Sequence, residues 1–310
     1  MGSRPNDRTA VLRDHAGDPA PAAPGLACVV LAHADPVHAR RLVAALDPFP
    51  VFLHCDARAP DVTCAEMTRD LPERVTLLPR RRTPWGSWAA VEAEVEGYRA
   101  ALAATPASHV ALLTGSDYPV ASSAAITGHL THLAGRSVTD TRPLPLPQWR
   151  GGGLWRLRYR FRTWGKRMLV LPVPRRLPAG VVPAGGSQLK ILARDDAAAV
   201  LHTVDTRPDL VRFWRRTWIP DETFVPSVLS TPGMAPGFAD RQVRGTAWFI
   251  RWDDTPRKSP PWLTRADLPL LEEIRAAAPG GAPMLFARKF SSTVDPAVLD
   301  EIDRRLRREE

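Results

Sequence analysis

Apolar residues fall along this chain in short, dense runs separated by stretches of helical spacing. Leu26 to Ala32 is apolar throughout and ends at His33, which predicts a strand buried on both faces near the middle of a parallel sheet. Pro36 to Leu46 has helical spacing. Pro50 to His54 predicts a second strand, Val75 to Leu78 a third and His109 to Leu113 a fourth. Ser87 is placed to cap a helix through Ala104, with Glu92, Glu94 and Glu96 early in it; Ser122 or Ser123 can cap the next. This β-α-β-β-α-β-α rhythm over residues 26–135 predicts an open α/β sheet. Later strands are expected at Leu189 to Leu192 and Ala247 to Ile250, and helices at Asp195 to Thr203, Leu268 to Ala278 and Pro296 to Arg307. Residues 137–182 are proline-rich and contain Gly151-Gly152-Gly153. They read as an irregular insertion or lid within a single domain of residues 25–310. No internal repeat is present.

Ligands of open α/β sheets bind beyond the carboxyl ends of the strands. His33, Asp56 and the Thr114-Gly115-Ser116-Asp117 segment all fall there. Each alone has an ordinary explanation, since Asp and Ser are common turn residues and a histidine near a strand end is often hydrogen-bonded structure. Three strand ends together mark the place for a nucleotide pocket.

Composition adds bounds rather than chemistry. A hydrophobic content of 44% and a charged content of 24% fit a globular chain, and no apolar run reaches the 18 residues of a membrane span. The first 24 residues are polar, lack an apolar signal core and read as a disordered arm. Cys28, Cys55 and Cys64 are odd in number and lack metal-ligand spacing, so buried thiols and a cytoplasmic setting are expected. The net charge of +9 is concentrated between Arg150 and Arg176, where Trp155 to Arg162 alternates aromatic or aliphatic residues with arginine. That pattern suits either a groove for an anionic partner or a half-buried strand or loop with a solvated arginine face. It matches no nucleic-acid-binding signature, and no nucleic-acid partner is expected.

Another group of residues carries the chemistry. Pro220-Asp221-Glu222 follows Trp218-Ile219 and precedes an apolar, helix-like run, so Asp221 reads as an N-cap and Glu222 as a first-turn carboxylate. Phe286-Ala287-Arg288-Lys289-Phe290 supplies a late cationic pair. With Leu31-Ala32-His33, Leu53-His54-Cys55-Asp56, Trp85-Gly86-Ser87, Leu113 to Pro119 and Gly186-Ser187-Gln188, these strings resemble the core-2/I-branching β-1,6-N-acetylglucosaminyltransferases, a family that includes the peptide O-xylosyltransferases. The resemblance spans about residues 26–292 and implies a glycosyltransferase A-type fold, a Rossmann-like open mixed sheet with flanking helices. It also implies inverting transfer from a UDP-sugar without a metal, so no cofactor is expected and the UDP-sugar is a co-substrate.

Residue by residue, the resemblance makes Glu222 the catalytic base and Lys289 the diphosphate clamp, with Arg288 beside it. A further arginine is expected from the preceding strand region; Arg244 and Arg251 are both candidates, Arg251 preferred. Gly115-Ser116-Asp117 lacks the first carboxylate of the Asp-x-Asp of metal-dependent relatives. Asp56 is similar to the residue near uridine and Trp85 to the aromatic wall of the donor pocket. Gln188 stands where xylosyltransferases carry Asp near the donor sugar, flanked by Gly186 and Ser187; His33, Gly86, Ser116 and Asp117 complete the donor set. Departures also occur. Leu189 stands where tryptophan is common, Pro226 interrupts a helix, and Ala125 replaces an acceptor-binding glutamate. They point away from a mucin-type acceptor and toward a small molecule or surface polysaccharide. The donor expected is UDP-N-acetylglucosamine, then UDP-xylose or another UDP-hexose. A non-catalytic nucleotide-sugar or anionic-glycan binder on the same fold is the alternative.

Overall fold

The structure, a computed structural model, describes residues 25–133, 135–164, 167–252, 259–276 and 284–308. The expected N-terminal arm, and residues 277 and 278 of the expected helix from Leu268, lie outside them. The first half runs β1 (Leu26–Ala32), α1 (Pro36–Ala45), β2 (Val51–Cys55), α2 (Asp61–Met67), β3 (Val75–Leu77), α3 (Trp88–Ala104) and β4 (His109–Thr114). Then come β5 (Asp117–Pro119), α4 (Ser123–Leu133), β6 (Val138–Thr139), β7 (Arg142–Pro143), α5 (Leu154–Arg158), β8 (Arg160–Trp164) and β9 (Arg167–Leu171). The remainder is β10 (Ala184–Gly185), β11 (Lys190–Ala193), α6 (Arg194–Thr206), α7 (Pro208–Trp214), α8 (Phe224–Ser230), α9 (Phe238–Arg241), β12 (Val243–Arg244), β13 (Trp248–Ile250), α10 (Leu268–Ala276), β14 (Phe286–Arg288) and α11 (Ala297–Arg305).

Seven strands form one mixed sheet in the order β12-β6-β11-β4-β1-β2-β3. Strand β1 pairs in parallel with both β2 and β4, while β11 runs antiparallel to β4 and β6. The continuous apolar run of β1 is explained by its two buried faces. Leu26, Cys28, Val30 and Ala32 enter one core with α1, α2, α4, α10 and α11, whereas Ala27 and Val29 enter a second core with α3, α6, α7 and α8. Gly97 on α3 lets that helix close on the sheet, since a Cβ there would lie 2.3 Å from a methyl of Val29. All three cysteines are free and buried.

A smaller three-stranded sheet, β13-β14-β5, stands beside the large one. Strand β14 pairs in parallel with β13 and antiparallel with β5, setting Arg288 opposite both Ile250 and Asp117. Helix α2 was not expected from the sequence. Residues 137–182 also prove far from irregular. Val138–Thr139 belongs to the large sheet, and the Trp155–Arg162 alternation is divided between helix α5 and strand β8 of an antiparallel hairpin. Three glycines with left-handed φ of 56°, 65° and 83° at positions 151–153 turn the chain into α5. The alternation itself divides at Tyr159, the extended residue that ends α5 and leads into β8.

Pro226 neither kinks nor delays α8. It sits in the first turn, where the missing N–H leaves no helical bond unmade.

Candidate active site

The carboxyl edge of the large sheet collects the polar residues. Register pairs Ala32 with Cys55 and Leu31 with Thr114, so His33, Asp56 and the Gly115–Asp117 turn emerge side by side. Asp35 binds this edge to the segment after β14, accepting from the Ser291 hydroxyl at 2.9 Å and the Ser292 amide at 2.8 Å. Burial of the His33 ring, helped by the charges of Arg58 and Lys289 and opposed by Asp56, lowers its pKa below the usual histidine value.

Two expected donor contacts are occupied by the protein itself. Asp56 is almost fully buried; it accepts the Arg58 guanidinium at 2.7 Å, the Arg58 amide at 2.7 Å and the Thr83 hydroxyl at 2.5 Å. Although burial opposes the charge, these bonds hold its carboxyl well below the ordinary range. Asp56 thus fixes Arg58 and Thr83 at the end of β2. Asp117, also buried, accepts from the Thr114 amide (2.8 Å), the Thr114 hydroxyl (2.7 Å) and Trp248 Nε1 (3.1 Å). Its carboxylate lies 3.4 Å from Arg288 Nε. Ser116 supports the same corner through its carbonyl, which accepts the Phe290 amide at 2.9 Å.

The cations are unequal. Lys289 Nζ donates to the Ser259 hydroxyl at 2.8 Å and lies 4.5 Å from the Trp262 ring centroid. Desolvation, then repulsion from Arg288, lowers its pKa. Arg251 continues β13 directly beyond the Ile250–Arg288 pair, beside Lys289, and is ion-paired with Asp267, the residue that caps the turn before α10. Arg244 lies on β12, at the edge of the large sheet, with an exposed side chain.

Glu222 closes a single 3-10 turn, Pro220–Glu222. Its carboxylate receives Arg156 Nη1 at 2.6 Å and keeps a third of its side chain exposed. Arg156 is fixed in turn by stacking 4.0 Å from the centroid of Trp149. The Glu222 carbonyl accepts the Gly186 amide at 3.0 Å. A Cβ on Gly186 would come within 2.5 Å of the Asp140 carbonyl, so only glycine permits this approach. Ser187 and the half-buried Gln188 follow, one residue before β11, whose first residue pairs with Leu112 in the carboxyl half of β4. The Glu222 turn is thereby tied to the sheet edge that carries Ser116 and His33. On its other side, the Ile219 amide donates to the Gly86 carbonyl at 3.1 Å. Gly86 has φ of +70°, and a side chain there would press on Trp218. Trp85 meets Trp218 edge-on at 5.9 Å. Arg156 and Trp149, within the insertion, were missed in the sequence; only the arginine-aromatic alternation hinted at them.

Asp221 is not an N-cap. Ile219 takes that position with φ of 49°, and one Asp221 oxygen is buried without a hydrogen bond among the described residues. Burial, reinforced by the charge of Glu222, raises its carboxyl from 3.8 to about 7. Folding then takes up a proton at Asp221 between those two values, so its contribution to stability falls as pH rises through that window and is flat above it. Asp221→Asn, which mimics the protonated acid, is expected to lose less stability than the wild type between pH 4.5 and pH 7.5. Urea-unfolding midpoints measure this, and equal losses would remove Asp221 as the source.

A family model for the Core-2/I-branching enzyme matches residues 32–274, and the chain belongs to that family. Its α/β architecture is of the glycosyltransferase A type. Similar curated proteins include xylosyltransferase 2 of Rattus norvegicus, 30% identical over 142 residues, and of Canis lupus familiaris, 31% identical over 139 residues. Each alignment covers 42% of this chain and 15% of the relative, so the chain spans only a small part of the length of these proteins. Among solved structures, a putative glucose-1-phosphate thymidylyltransferase from Bacillus anthracis, in complex with a sucrose, aligns over 57% of this chain and 74% of its own, at 6% identity and a TM-score of 0.31. That likeness is too slight to bear on the fold. No described helix is long and apolar enough to cross a membrane.

Proposed function

We propose that this chain is an inverting, metal-independent glycosyltransferase that moves a sugar from a UDP-sugar to an acceptor hydroxyl. The observation that carries the reading is Glu222. It is a partly exposed carboxylate, pinned by Arg156 and bonded through its carbonyl to the Gly186 amide, and the chain also supplies the cations Lys289, Arg288 and Arg251 at the end of the small β13-β14-β5 sheet. An attacking hydroxyl must lose a proton as it bonds to the anomeric carbon, and Glu222 is the base for it. The bond to the UDP oxygen breaks as charge grows on the diphosphate. Lys289 meets that charge, with Arg288 and Arg251 behind it. Arg244 is left outside this set. Metal independence is supported by the carboxylates: Asp117 and Asp56 are turned to Arg288 and Arg58. N-acetylglucosamine is the first donor sugar to examine, and the relatives named xylosyltransferase argue for xylose as the second.

The test is UDP release from a panel of UDP-sugars in EDTA, without acceptor and then with candidate acceptors. Selective release supports the reading. Tight UDP binding without release under any condition leaves a nucleotide-sugar binder, and no UDP binding overturns it. In the same assay Lys289→Ala is expected to lower kcat/KM for the donor by about 10²–10³-fold, the scale of one transition-state donor. An unchanged value would remove Lys289 from the diphosphate site.

A further inference from the structure

A cavity of about 560 Å³ lies on the face of the Glu222 turn that carries Trp218; of the expected donor residues, only Gly86 lines it. Its walls are the β8–β9 hairpin, the segment Arg215–Trp218 and the start of α3. The volume is in the range of sites for one or two sugar-sized groups.

Four arginines line it: Arg160, Arg162, Arg215 and Arg216. Arg215 is paired with Glu92 at 2.9 Å, whereas Arg160, Arg162 and Arg216 have no ion pair among the described residues. The crowding is felt nearby: Arg175 is lowered to about 10, first by burial and then by the charges of Arg160 and Arg216. Two of the lining residues, Ser87 and Trp88, each carry a buried polar atom with no hydrogen-bond partner among the described residues, Ser87 Oγ and Trp88 Nε1. Trp88 is 7% exposed. Both stand at the positive end of the 17-residue helix α3. Phe161, Met168, Leu171 and Trp218 give the cavity an apolar side, with the Phe161 and Trp218 rings stacked at 6.2 Å. Uncompensated cations repel one another. An anion attached to a flat apolar face relieves that repulsion and covers the aromatic side.

The cavity is joined to the base. Trp218 precedes the Glu222 turn, Gly86 of the cavity accepts the Ile219 amide at 3.1 Å, and Arg156 bridges from Glu222 to within 5.8 Å of the Trp218 ring centroid.

We propose that this cavity is the acceptor subsite and that it takes a saccharide carrying an acidic group, the anion held by Arg160, Arg162 and Arg216 and the sugar face laid against Trp218 and Phe161. The assignment of the cavity to the acceptor rests on the glycosyltransferase reading above. Its preference for an acidic saccharide is independent of turnover.

Calorimetric titration of the full chain, saturated with UDP, tests it with three probes: methyl β-glucuronide, glucose 6-phosphate and methyl β-glucoside. At least one acidic probe is expected to bind about tenfold or more tightly than the neutral glucoside, the scale of one charge-assisted contact. Which acidic probe binds more tightly separates a carboxylate from a phosphate. The advantage is expected to vanish in the Arg160→Gln/Arg216→Gln variant. Equal affinities, no binding of either acidic probe, or a selectivity that survives both substitutions would overturn the proposal. So would acidic probes that bind only when UDP is absent, because they would then occupy the diphosphate site. UDP binding, titrated separately, keeps the readings apart: a chain that binds UDP without discriminating the probes fails the subsite, and one that discriminates the probes without binding UDP fails the donor reading.

Discussion

Replacing Glu222 with glutamine is expected to reduce sugar transfer by about 10²–10⁴-fold while leaving UDP affinity within about twofold. Glutamine keeps the length and shape of the side chain, and its amide oxygen can still accept the Arg156 Nη1 that now sits 2.6 Å from the carboxylate. The backbone bond from Gly186 to the carbonyl of residue 222 is untouched. The turn is therefore expected to stay in place, and what disappears is the capacity to take a proton. The informative quantity is the division between kcat and binding. A base that acts only as the acceptor hydroxyl attacks affects kcat and kcat/KM together and leaves UDP affinity alone. Full transfer activity in Glu222→Gln would falsify the assignment. Weak activity accompanied by a lost UDP site would mean that residue 222 shapes the donor pocket instead.

The sequence made the central sheet legible because burial on both faces leaves a plain trace. Leu26 to Ala32 has apolar residues at both alternations, and both sets enter cores. Strand ends were legible for the same reason, so His33, Asp56 and the Thr114–Asp117 turn fell together as expected. What could not be read was whether a polar residue at that edge faces a ligand or its own chain. Asp56 and Asp117 are spent on Arg58, Thr83, Thr114, Trp248 and Arg288, partners between two and 171 positions away. Such pairings follow from register between strands, which composition and spacing do not encode. The choice between Arg244 and Arg251 was open in the sequence for the same cause, and only the β13–β14 pairing places Arg251 next to Lys289. The insertion was opaque because its period of two spans a helix and half a hairpin. The contact of Arg156 with Glu222 and the placing of Arg160 and Arg162 at the cavity beside Trp218 depend on how α5 and that hairpin pack.

The Glu94–Lys190 pair was equally hidden: it looked like one more glutamate in a helix and one lysine in a strand. Both are essentially inaccessible, at 0% and 1% exposure, with Lys190 Nζ 2.8 Å from Glu94 Oε1 and the Tyr98 hydroxyl donating to the same oxygen at 2.8 Å. Burial and the Glu94 charge push the Tyr98 phenol well above its ordinary value, so it stays a neutral donor. Lys190→Met keeps an apolar stem of similar length and strands Glu94 without its cation. The expected loss is about 3–5 kcal/mol, the cost of breaking one side of a buried pair. The urea midpoint is expected to fall with the slope unchanged, which would place the effect in the native state rather than in the surface exposed on unfolding. Replacing both residues, Lys190→Met with Glu94→Gln, should restore most of the stability, because no charge then remains buried alone. If the single variant lost less than about 1 kcal/mol, the pair would be reached by water and the account of this core would be wrong. The pair also lies close enough to Asp221 for both charges to act on its carboxyl, beneath the turn that presents Glu222. The double variant is therefore the better one in which to measure transfer. Recovered stability with slower turnover would show that the buried charges also position the base, whereas full turnover would confine them to holding α3 against the sheet.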